Sequence, residues 1–145
     1  QRIAEFPLAE FFPLALLDLA YFSVAFSPAL KTTFGAYYVA ACGFWCQGPS
    51  LLQMLNLLDG VDLKALGHNS PAYLHRIIET IKLAFADRDA YYGGPNFVKV
   101  PADGLLSKAY AAARRQLVKE RAWPQMPPAD PPDGPPATRP SALGL

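Results

Sequence analysis

This sequence lacks a large net charge of either sign. The chain has 13 Lys and Arg residues against 12 Asp and Glu residues, and charged residues make up 17% of the total. Its basic residues do not cluster beyond Arg114-Arg115, a pair that we place on a helix face. A nucleic-acid surface needs a basic patch, and a solvating tail needs a block of like charges. We therefore predict neither nucleic-acid binding nor an acidic tail.

Cysteine is scarce, because Cys42 and Cys46 are the only two and cannot build a disulfide framework. They lie four residues apart in an apparently extended segment, which exceeds disulfide geometry unless the chain turns tightly at Gly43. We therefore expect free thiols. Since no feature nearby in the sequence lowers the pKa of Cys46, we do not interpret it as a nucleophile beside His68.

Motifs of known site chemistry are missing as well. The sequence has no phosphate-binding glycine loop, no metal-ligand spacing and no nucleophile elbow. His68 and His75 are seven residues apart, but His68 lies in a connector before the helix that carries His75. The two histidines therefore cannot share a helix face as zinc ligands, and we predict solvated or capping roles for them.

A leader sequence and an uninterrupted apolar span are not found. The chain begins at Gln1 without an initiator Met, a basic n-region or a cleavage site, so we expect a piece of a longer protein. Residues 11–26 are apolar, yet Pro13 and Asp18 interrupt them, and a carboxylate inside a membrane is costly. We predict a buried helix followed by a buried strand at 22–26, and no membrane contact.

The most regular pattern present is one long amphipathic helix between Ser70 and Pro95. Ser70 is a good N-cap, and Pro71 follows at the first helical position, where its missing N–H costs nothing. Gly93-Gly94-Pro95 ends the helix, while Arg76 and Lys82 lie off its apolar stripe. We expect that stripe to be the buried face. Its members recur at three- and four-residue spacing: Leu74, Ile77, Ile78, Ile81 and Phe85.

Two short strands and two further helices surround this helix in the sequence. Thr32–Phe34 and Tyr37–Val39 are rich in β-branched and aromatic residues and are separated by the turn residue Gly35. Helices are predicted from about Ser50 to Leu58, and from a Ser107 cap to about Glu120. The predicted inward residues are Leu51, Leu52, Leu55 and Leu58 in the first helix, and Tyr110, Ala113, Leu117 and Val118 in the second.

The last fifth of the chain differs in composition from the rest. Eight of the 15 prolines fall between Pro124 and Pro140, and no hydrophobic periodicity survives beyond Trp123. Such a segment buries too little apolar side chain to offset its ordering entropy. We therefore divide the chain into a folded part, 1–122, and a proline-rich tail, 123–145, which we expect to be extended or poorly ordered.

The densest polar group lies on the long helix and comprises Glu79, Asp87, Arg88 and Asp89. Asp87 and Asp89 cannot form a catalytic dyad, because residues two apart on a helix do not face each other. Pairs of Glu79 with Lys82, and of either aspartate with Arg88 or a partner segment, are the favoured interpretation. The residues taken alone therefore indicate an aromatic-rich helical module without a reaction.

The sequence nevertheless resembles a known family. Cys46-Gln47-Gly48-Pro49 with LLQMLNLLDGVDLKALGHNS, then YLHRIIETIKLAFADRDAYYGGPNFVKVP and GLLSKAYAAARR, is similar to the C-terminal part of the large subunit of gamma-glutamyltransferase (gamma-glutamyltranspeptidase). The similarity runs from about Asp18 to Met126 and is strongest at 84–88. The chain departs from the family at Gly93-Gly94-Pro95, where Gly-Asp-Pro is usual, and at 23–26, where many members have a charged strand.

The resemblance implies a fold and an activity for the parent protein. Members are α+β N-terminal-nucleophile hydrolases that fold as an αββα sandwich, of which this chain would be a mainly helical part. They cleave themselves, and the new N-terminal threonine of the small subunit attacks the γ-glutamyl amide of glutathione or a related donor. No cofactor is needed. The implied partners are the small subunit and the remainder of the large subunit. The implied location is periplasmic or secreted, with a cytoplasmic one as the alternative.

The resemblance places no catalytic, substrate-binding or metal residue in these 145 residues. Thr138 lies in Pro-Ala-Thr-Arg-Pro and lacks the histidine and glycine-rich signature that follow the family's nucleophile. The arginine that holds the donor carboxylate belongs to an earlier segment, for which Arg88 does not substitute. The tail at 123–145 would lead towards the self-cleavage point, and the chain alone is expected to be inactive.

Two other functions remain open at this stage. The parent could be a related acylase of the same superfamily, acting on β-lactam side chains or on peptide-linked glutamate. The chain could also be a non-catalytic assembly module whose helices dock a partner. A threonine followed by a histidine downstream in the parent reading frame would favour either enzyme over the module.

Overall fold

The computed structural model describes residues 20–24 and 26–130 of the chain. A two-stranded hairpin comes first, and four helices follow it. The elements in chain order are β1 (Leu30–Phe34), β2 (Tyr37–Ala41), α1 (Gly48–Leu58), α2 (Pro71–Tyr91), α3 (Ala102–Leu105) and α4 (Lys108–Arg115).

The hairpin confirms the predicted strand–turn–strand segment. β1 and β2 pair antiparallel, from Phe34 opposite Tyr37 to Leu30 opposite Ala41. Gly35 has a φ of +56°, a left-handed conformation that glycine adopts without steric cost, so the two-residue connection is possible.

The buried strand expected at 22–26 is wrong. None of the described residues in that range is in a strand, and the side chains of Phe22, Val24 and Phe26 are 74%, 73% and 99% exposed. The described sheet contains β1 and β2 alone, so no third strand covers this apolar segment. The helix expected before it falls almost entirely on residues outside those described.

Helix α1 has the predicted end and part of the predicted inner face. It finishes at Leu58, where Asp59 is the C-cap and Gly60 takes a φ of +78°. Leu52 and Leu58 are buried as predicted, whereas Leu51 is 49% exposed, contrary to expectation. The side chains of Gln53 and Asn56 are also buried, because each makes hydrogen bonds to neighbouring elements. Leucine spacing and polar anchoring therefore set the orientation of α1 together.

The ends of helix α2 follow the predicted caps closely. The Tyr73 amide donates to the Ser70 hydroxyl at 3.1 Å, and Pro71 occupies the first position. The helix ends at Tyr91, before the glycines, and the Tyr92 amide donates to the carbonyl of Arg88.

The predicted buried face of α2 is wrong. Leu74 and Ile78 are 44% and 49% exposed, and Ile77, Ile81 and Phe85 are only half-buried. Helix α1 and α4 contact the other side of α2, where polar side chains bind α4 and the chain that follows it. The apolar stripe is left uncovered by the described residues. The buried residues of α2 are Glu79, Thr80, Leu83, Ala84, Ala86, Asp87 and Tyr91.

Helix α4 is shorter than predicted, but three of the four residues predicted to point inward, Tyr110, Leu117 and Val118, pack against the apolar clusters. Its Ser107 cap is confirmed, because the Tyr110 amide donates to the Ser107 hydroxyl, but the helix stops at Arg115. Ala111 and Arg114 are its buried residues, and Ala113 is exposed. Arg115 donates to the carbonyls of Leu57 and Asn56 at the end of α1, where a positive charge suits the helix dipole.

Apolar packing forms two separate clusters. The first joins α1, α2 and α4 through Leu57, Leu83, Ala84 and Ala111, with Met54, Leu117 and Val118 against it. The second joins the loop before α1 to the end of α2 and to α3 through Phe44, Tyr91 and Leu105. The polar residues described below lie between them.

Two further observations concern the segment after α4 and the length of the described helices. Residues 123–130 contain neither helix nor strand, and residues 131–145 of the predicted tail lie outside those described. Within the described residues, no helix combines the length and the apolar character needed to cross a bilayer.

The two faces of α2 should differ in their effect on stability. Leu83 is 1% exposed within the first cluster, so Leu83→Ala should lower the free energy of unfolding of the isolated chain by about 2–5 kcal/mol. The matched control Ile78→Ala removes similar volume from a half-exposed site and should cost less than about 1 kcal/mol. Urea unfolding measures both. Equal losses would contradict the face assignment.

Candidate functional site

Asp87, in the penultimate turn of α2, is the centre of the largest buried polar group. Its side chain is 2% exposed. Arg114 Nη2 and the Tyr110 hydroxyl donate to Oδ1 at 2.9 and 3.0 Å, and Gln53 Nε2 donates to Oδ2 at 3.0 Å. One carboxylate thus joins α1, α2 and α4. Tyr92 extends the network, because its hydroxyl donates to Gln53 Oε1.

Arg114 continues the group into the segment beyond α4. Its Nη1 donates to the Pro128 carbonyl at 2.8 Å and to Asp130 Oδ2 at 2.9 Å. Its Nη2 also approaches the Leu83 carbonyl, and the guanidinium lies 5.9 Å from the centre of the Tyr110 ring. A side chain that is 2% exposed therefore fixes the path of 128–130 across the helices.

Burial dominates the electrostatics of this centre. It raises the pKa of Asp87 from 3.8 to about 6, although the Arg114 charge and the hydrogen bonds from Tyr110 and Gln53 act in the opposite direction. Burial also raises the pKa of Tyr110, and the adjacent Asp87 charge adds to that rise. The phenol therefore stays protonated and acts as a donor.

The Asp87 centre is closed to substrates. The space between Gln53, Asp87, Tyr110 and Arg114 has no room for a water-sized molecule. A catalytic carboxylate must reach the proton that it transfers, directly or through one water. The raised pKa of Asp87 is therefore that of a structural junction, because nothing can enter to react with it.

Glu79 forms a second, smaller junction about two turns earlier on the same helix. Lys82 Nζ donates to Glu79 Oε1 at 2.7 Å, as predicted, and also to the Trp123 carbonyl. The Trp123 amide donates to Glu79 Oε2 at 3.2 Å. Burial acts to raise the pKa of Glu79, but the hydrogen bonds from Lys82 and Trp123 outweigh it and lower the pKa.

Arg88 and Asp89 point away from the buried centre, as the helix spacing predicted. Arg88 Nη2 and Asp89 Oδ1 form an ion pair at 2.8 Å, and the guanidinium lies 4.4 Å from the centre of the Phe85 ring. Arg88 Nη1 also donates to Gln47 Oε1 at 3.3 Å. These side chains line an open cavity of about 350 Å³, which we call the Arg88 cavity. Its other walls are Phe44, Trp45, Cys46, Tyr92 and Gly93.

Cys46 differs from the sequence-based expectation. The neighbouring Cys42 side chain and the amides of Gly48 and Gln47 lower the pKa of the Cys46 thiol. The expectation that nothing nearby lowers this pKa is therefore wrong. The Cys46 amide donates to the Gly43 carbonyl at 3.1 Å, so the chain makes a tight turn at Gly43. Both are free thiols, as predicted.

The histidines occupy separate places. The His68 ring packs edge-on against Tyr73, with ring centres 5.5 Å apart, and His75 Nε2 lies 2.7 Å from the Lys119 carbonyl. Neither makes a contact with Cys46. Among residues 20–24 and 26–130, no three potential metal-ligating side chains come together.

Sequence reasoning missed Gln53, Asn56 and Arg114 as organising residues. Asn56 accepts from the Thr32 hydroxyl of β1 and donates to the Leu106 carbonyl at 2.9 Å, so it ties the hairpin to α1 and to the turn before α4. The feature of the sequence that could have revealed Gln53 and Asn56 is the presence of two side-chain amides within the apolar run LLQMLNLL. Such residues are costly to bury unless their hydrogen bonds are satisfied.

Comparison with known proteins gives a consistent result over most of the chain. The family model for gamma-glutamyltranspeptidase matches residues 13–140. An acylase ACY 1 proenzyme of Pseudomonas sp. strain V22 is 48% identical over 71 residues, which are 49% of this chain and 13% of that protein. The glutathione hydrolase proenzyme of Escherichia coli K12 is 44% identical over 64 residues, 44% of this chain and 11% of that protein. The chain thus spans about an eighth of the curated relatives that it matches.

Solved structures show the same fold. The gamma-glutamyltranspeptidase of Helicobacter pylori aligns with a TM-score of 0.72 and 31% identity, over 77% of this chain and 33% of that one. A cephalosporin acylase of Bacillus halodurans aligns with a TM-score of 0.74 and 28% identity, over 82% and 22%. These likenesses confirm the predicted fold class: the chain is the mainly helical part of an α+β N-terminal-nucleophile hydrolase fold.

The raised pKa of Asp87 predicts a pH-dependent stability. Because Asp87 binds its proton more tightly in the folded chain than in the unfolded one, its contribution is full below about pH 4. It is lost as the pH rises through about 6, a change on the order of 3 kcal/mol. Asp87→Asn does not titrate, so the difference in unfolding free energy between the two proteins should change between pH 4 and pH 7. Urea titrations that gave a constant difference would contradict this.

Proposed function

The chain belongs to the gamma-glutamyltranspeptidase family, and from that premise we propose that it is part of an enzyme that hydrolyses or transfers γ-glutamyl groups. The donors are glutathione and related γ-glutamyl compounds. The observation that carries this proposal is the match of the family over residues 13–140. Relatives named glutathione hydrolase proenzyme and a solved gamma-glutamyltranspeptidase support it.

The nucleophile of this reaction lies on a segment outside the chain. The parent's small subunit supplies an N-terminal threonine, whose hydroxyl attacks the γ-glutamyl carbonyl while its own amine takes the proton. The amine of the donor leaves, and water or an amino-acid acceptor then releases the glutamyl group. Several relatives are named as proenzymes, which supports the need for self-cleavage. None of the described side chains replaces the threonine, because Asp87 is enclosed and Arg88 is paired with Asp89.

In the parent enzyme, this chain supplies a surface against which the other segments pack. Its uncovered surface is apolar at the α2 stripe, where Leu74 and Ile78 are about half exposed, and at Phe97, which is 91% exposed. The hairpin adds Tyr37 and Tyr38, at 75% and 86% exposed. Large exposed apolar patches mark interfaces more often than free surface. We assign these patches to contacts with the small subunit and the rest of the large subunit.

The division of the chain into 1–122 and 123–145 is also part of the proposal. Residues 123–130 are held by hydrogen bonds with Glu79, Lys82 and Arg114, and Ala129 also packs against the second apolar cluster. We infer that the tail precedes the point of self-cleavage in the parent protein.

A second candidate is an acylase of the same superfamily. Two acylase ACY 1 proenzymes are 48% and 46% identical to this chain over 71 and 72 residues, and a cephalosporin acylase shares its fold. Side-by-side assay of the parent enzyme with a γ-glutamyl anilide and a cephalosporin side-chain amide separates the two. Preference for the cephalosporin amide would replace the γ-glutamyl proposal.

The isolated chain should be inactive although its parent is active. Because the N-terminal threonine that we assign as nucleophile lies on another segment, the isolated chain should release no aniline from a γ-glutamyl anilide above the rate in buffer. The complete parent protein, assayed beside it, serves as the positive control. Release by the isolated chain that disappears with a substitution in that chain would contradict the assignment of the chemistry to another segment.

The isolated chain should also self-associate. Its exposed apolar stripe and hairpin tyrosines lose water when they contact a second surface, and no other subunit is present to cover them. Sedimentation should show a mean mass that rises with concentration, whereas Leu74→Glu with Ile78→Glu should move the chain towards monomer. A concentration-independent, cooperatively unfolding monomer would instead favour a self-sufficient assembly module.

A further inference from the structure

Trp123 is an anchored point in the chain that follows α4. Its amide donates to Glu79 Oε2 at 3.2 Å, and its carbonyl accepts from Lys82 Nζ at 2.7 Å. Its indole Nε1 donates to the Leu117 carbonyl at 3.0 Å. Three hydrogen bonds, to α2 and to the turn after α4, therefore hold this residue in place.

Residues 124–130, which we call the strap, depend on a different set of contacts. Within the described chain, their hydrogen bonds all go to two side chains of α4. Arg114 Nη1 donates to the Pro128 carbonyl at 2.8 Å and to Asp130 Oδ2 at 2.9 Å. The Tyr110 hydroxyl lies 2.8 Å from the Asp130 carbonyl. Arg114 and Tyr110 therefore hold the far end of the strap.

The apolar contacts of the strap are small. Pro127 is buried and Ala129 packs against the second apolar cluster, whereas Met126 is 47% exposed. Two small side chains bury little apolar surface compared with a core leucine or phenylalanine. The closed position of the strap therefore relies on its hydrogen bonds with α4.

Both of these α4 side chains are shared with Asp87. Arg114 Nη2 donates to Asp87 Oδ1 at 2.9 Å, so one buried guanidinium lies between the carboxylates of Asp87 and Asp130. The Tyr110 hydroxyl lies 3.0 Å from the same Oδ1, and a phenol has one hydrogen. That hydrogen cannot make a full hydrogen bond to Asp87 and to the Asp130 carbonyl at once. Asp87 and the strap therefore compete for the same donors.

The charge on Asp87 sets the outcome of this competition. An ionised carboxylate is a stronger acceptor than a carbonyl, so it takes the Tyr110 hydrogen and shares the Arg114 charge with Asp130. A protonated Asp87 can donate its own hydrogen to the Tyr110 oxygen, which leaves the phenol hydrogen for the strap. It also leaves the Arg114 charge to Asp130 and removes the repulsion between the two carboxylates.

We propose that the strap is a conformational switch controlled by Asp87. It closes on Arg114 and Tyr110 when Asp87 is protonated, and it shifts towards an open position, pivoting at Trp123, when Asp87 is ionised. Opening exposes Arg114 and Tyr110 and gives water a path to a centre that has no room for it in the closed form. The switch uses contacts within this chain and is independent of the activity proposed for the parent.

Proton linkage gives the direction of the switch. Burial and the nearby Asp130 charge raise the pKa of Asp87, and the Asp130 charge lies beside it only while the strap is closed. Asp87 therefore binds its proton more tightly in the closed form. Closure is most favoured below the ordinary carboxyl pKa, and it weakens as the pH rises through about 6.

Several other groups face Asp87 and enter the same balance. Helices α1 and α3 contribute the uncharged Gln53 and Leu105. The groups that carry a charge or titrate come from α4, from the strap and from the end of α2: Arg114, Tyr110, Asp130, Tyr91 and Tyr92.

The test places a trypsin site inside the strap of the full chain. Gln125 is exposed, so Gln125→Lys adds the site between the Trp123 anchor and the contacts with α4. A protease needs a mobile, extended segment, so the cleavage rate at position 125 follows the open population. Mass spectrometry separates this cut from others, and an unfolded peptide with the same site corrects for the pH dependence of trypsin.

The corrected rate should rise as the pH passes through about 6. The increase should be about tenfold for each unit by which closure raises the pKa of Asp87. Cleavage after Lys82, inside α2, reports unfolding of the whole chain and should be much slower at every pH. A corrected rate that does not change with pH would overturn the proposal. Equal rates at positions 82 and 125 would also overturn it, because the strap would then not open by itself.

Variants in the Gln125→Lys chain identify the groups responsible. Asp87→Asn cannot ionise and should keep a low rate across the pH range. Asp130→Ala, at a half-exposed site that the fold tolerates, and Tyr110→Phe, which keeps the ring, should each raise the rate at low pH at least about threefold.

Asp89→Asn is the matched control, because it removes a carboxylate that lies two residues from Asp87 and pairs with Arg88 instead of the strap. It should keep the pH profile of the Gln125→Lys chain. Unchanged low-pH rates in both Asp130→Ala and Tyr110→Phe, or loss of the pH dependence in Asp89→Asn, would overturn the assignment of the switch to Asp87 and its partners.

Discussion

The buried ion pair of Asp87 and Arg114 is the interaction on which the rest of this structure depends. It removes two charges from water, a cost that further hydrogen bonds to both groups offset. Gln53, Tyr110 and the chain at 128–130 supply such bonds, and each comes from a different part of the fold. Arg114 Nε is left without a partner among the described residues. The pair therefore holds α1, α2, α4 and the following segment in one arrangement, between two small apolar clusters.

The sequence predicted local features well, because a few neighbouring residues determine them. The caps at Ser70 and Ser107, the turn at Gly35 and the end of α1 at Asp59 all lie where their residue types indicate. The inner faces of the helices were predicted poorly. A hydrophobic stripe indicates which side of a helix avoids water, but the contacts that cover it can lie on another segment. In α2 the described neighbours bind Glu79 and Asp87 instead, and Leu74 and Ile78 stay exposed.

In the candidate site, too, contacts between near neighbours in sequence were predicted, and contacts between distant residues were missed. The ion pair of Glu79 with Lys82 follows from helix spacing, and both this pair and the predicted pair of Arg88 with Asp89 are confirmed. The partners of Asp87 are more than twenty residues away in sequence, so no local pattern points to them. Membership of the family, by contrast, was recognisable from sequence, since it rests on the order of residues along the chain rather than on their contacts.

The close approach of Gly48 to the end of β2 restricts what can stand at position 48 during evolution. An alanine there would meet the Cys42 sulfur and the Cβ of Ala41 at 2.8 Å each, and the Cys42 amide nitrogen at 3.1 Å. Loss of the thiol alone does not release the glycine, because two of these three contacts remain. The glycine also begins α1, so its replacement would shift the helix that presents Gln53 and Asn56. Position 48 should therefore stay glycine in relatives that keep this junction, whatever residue they carry at position 42.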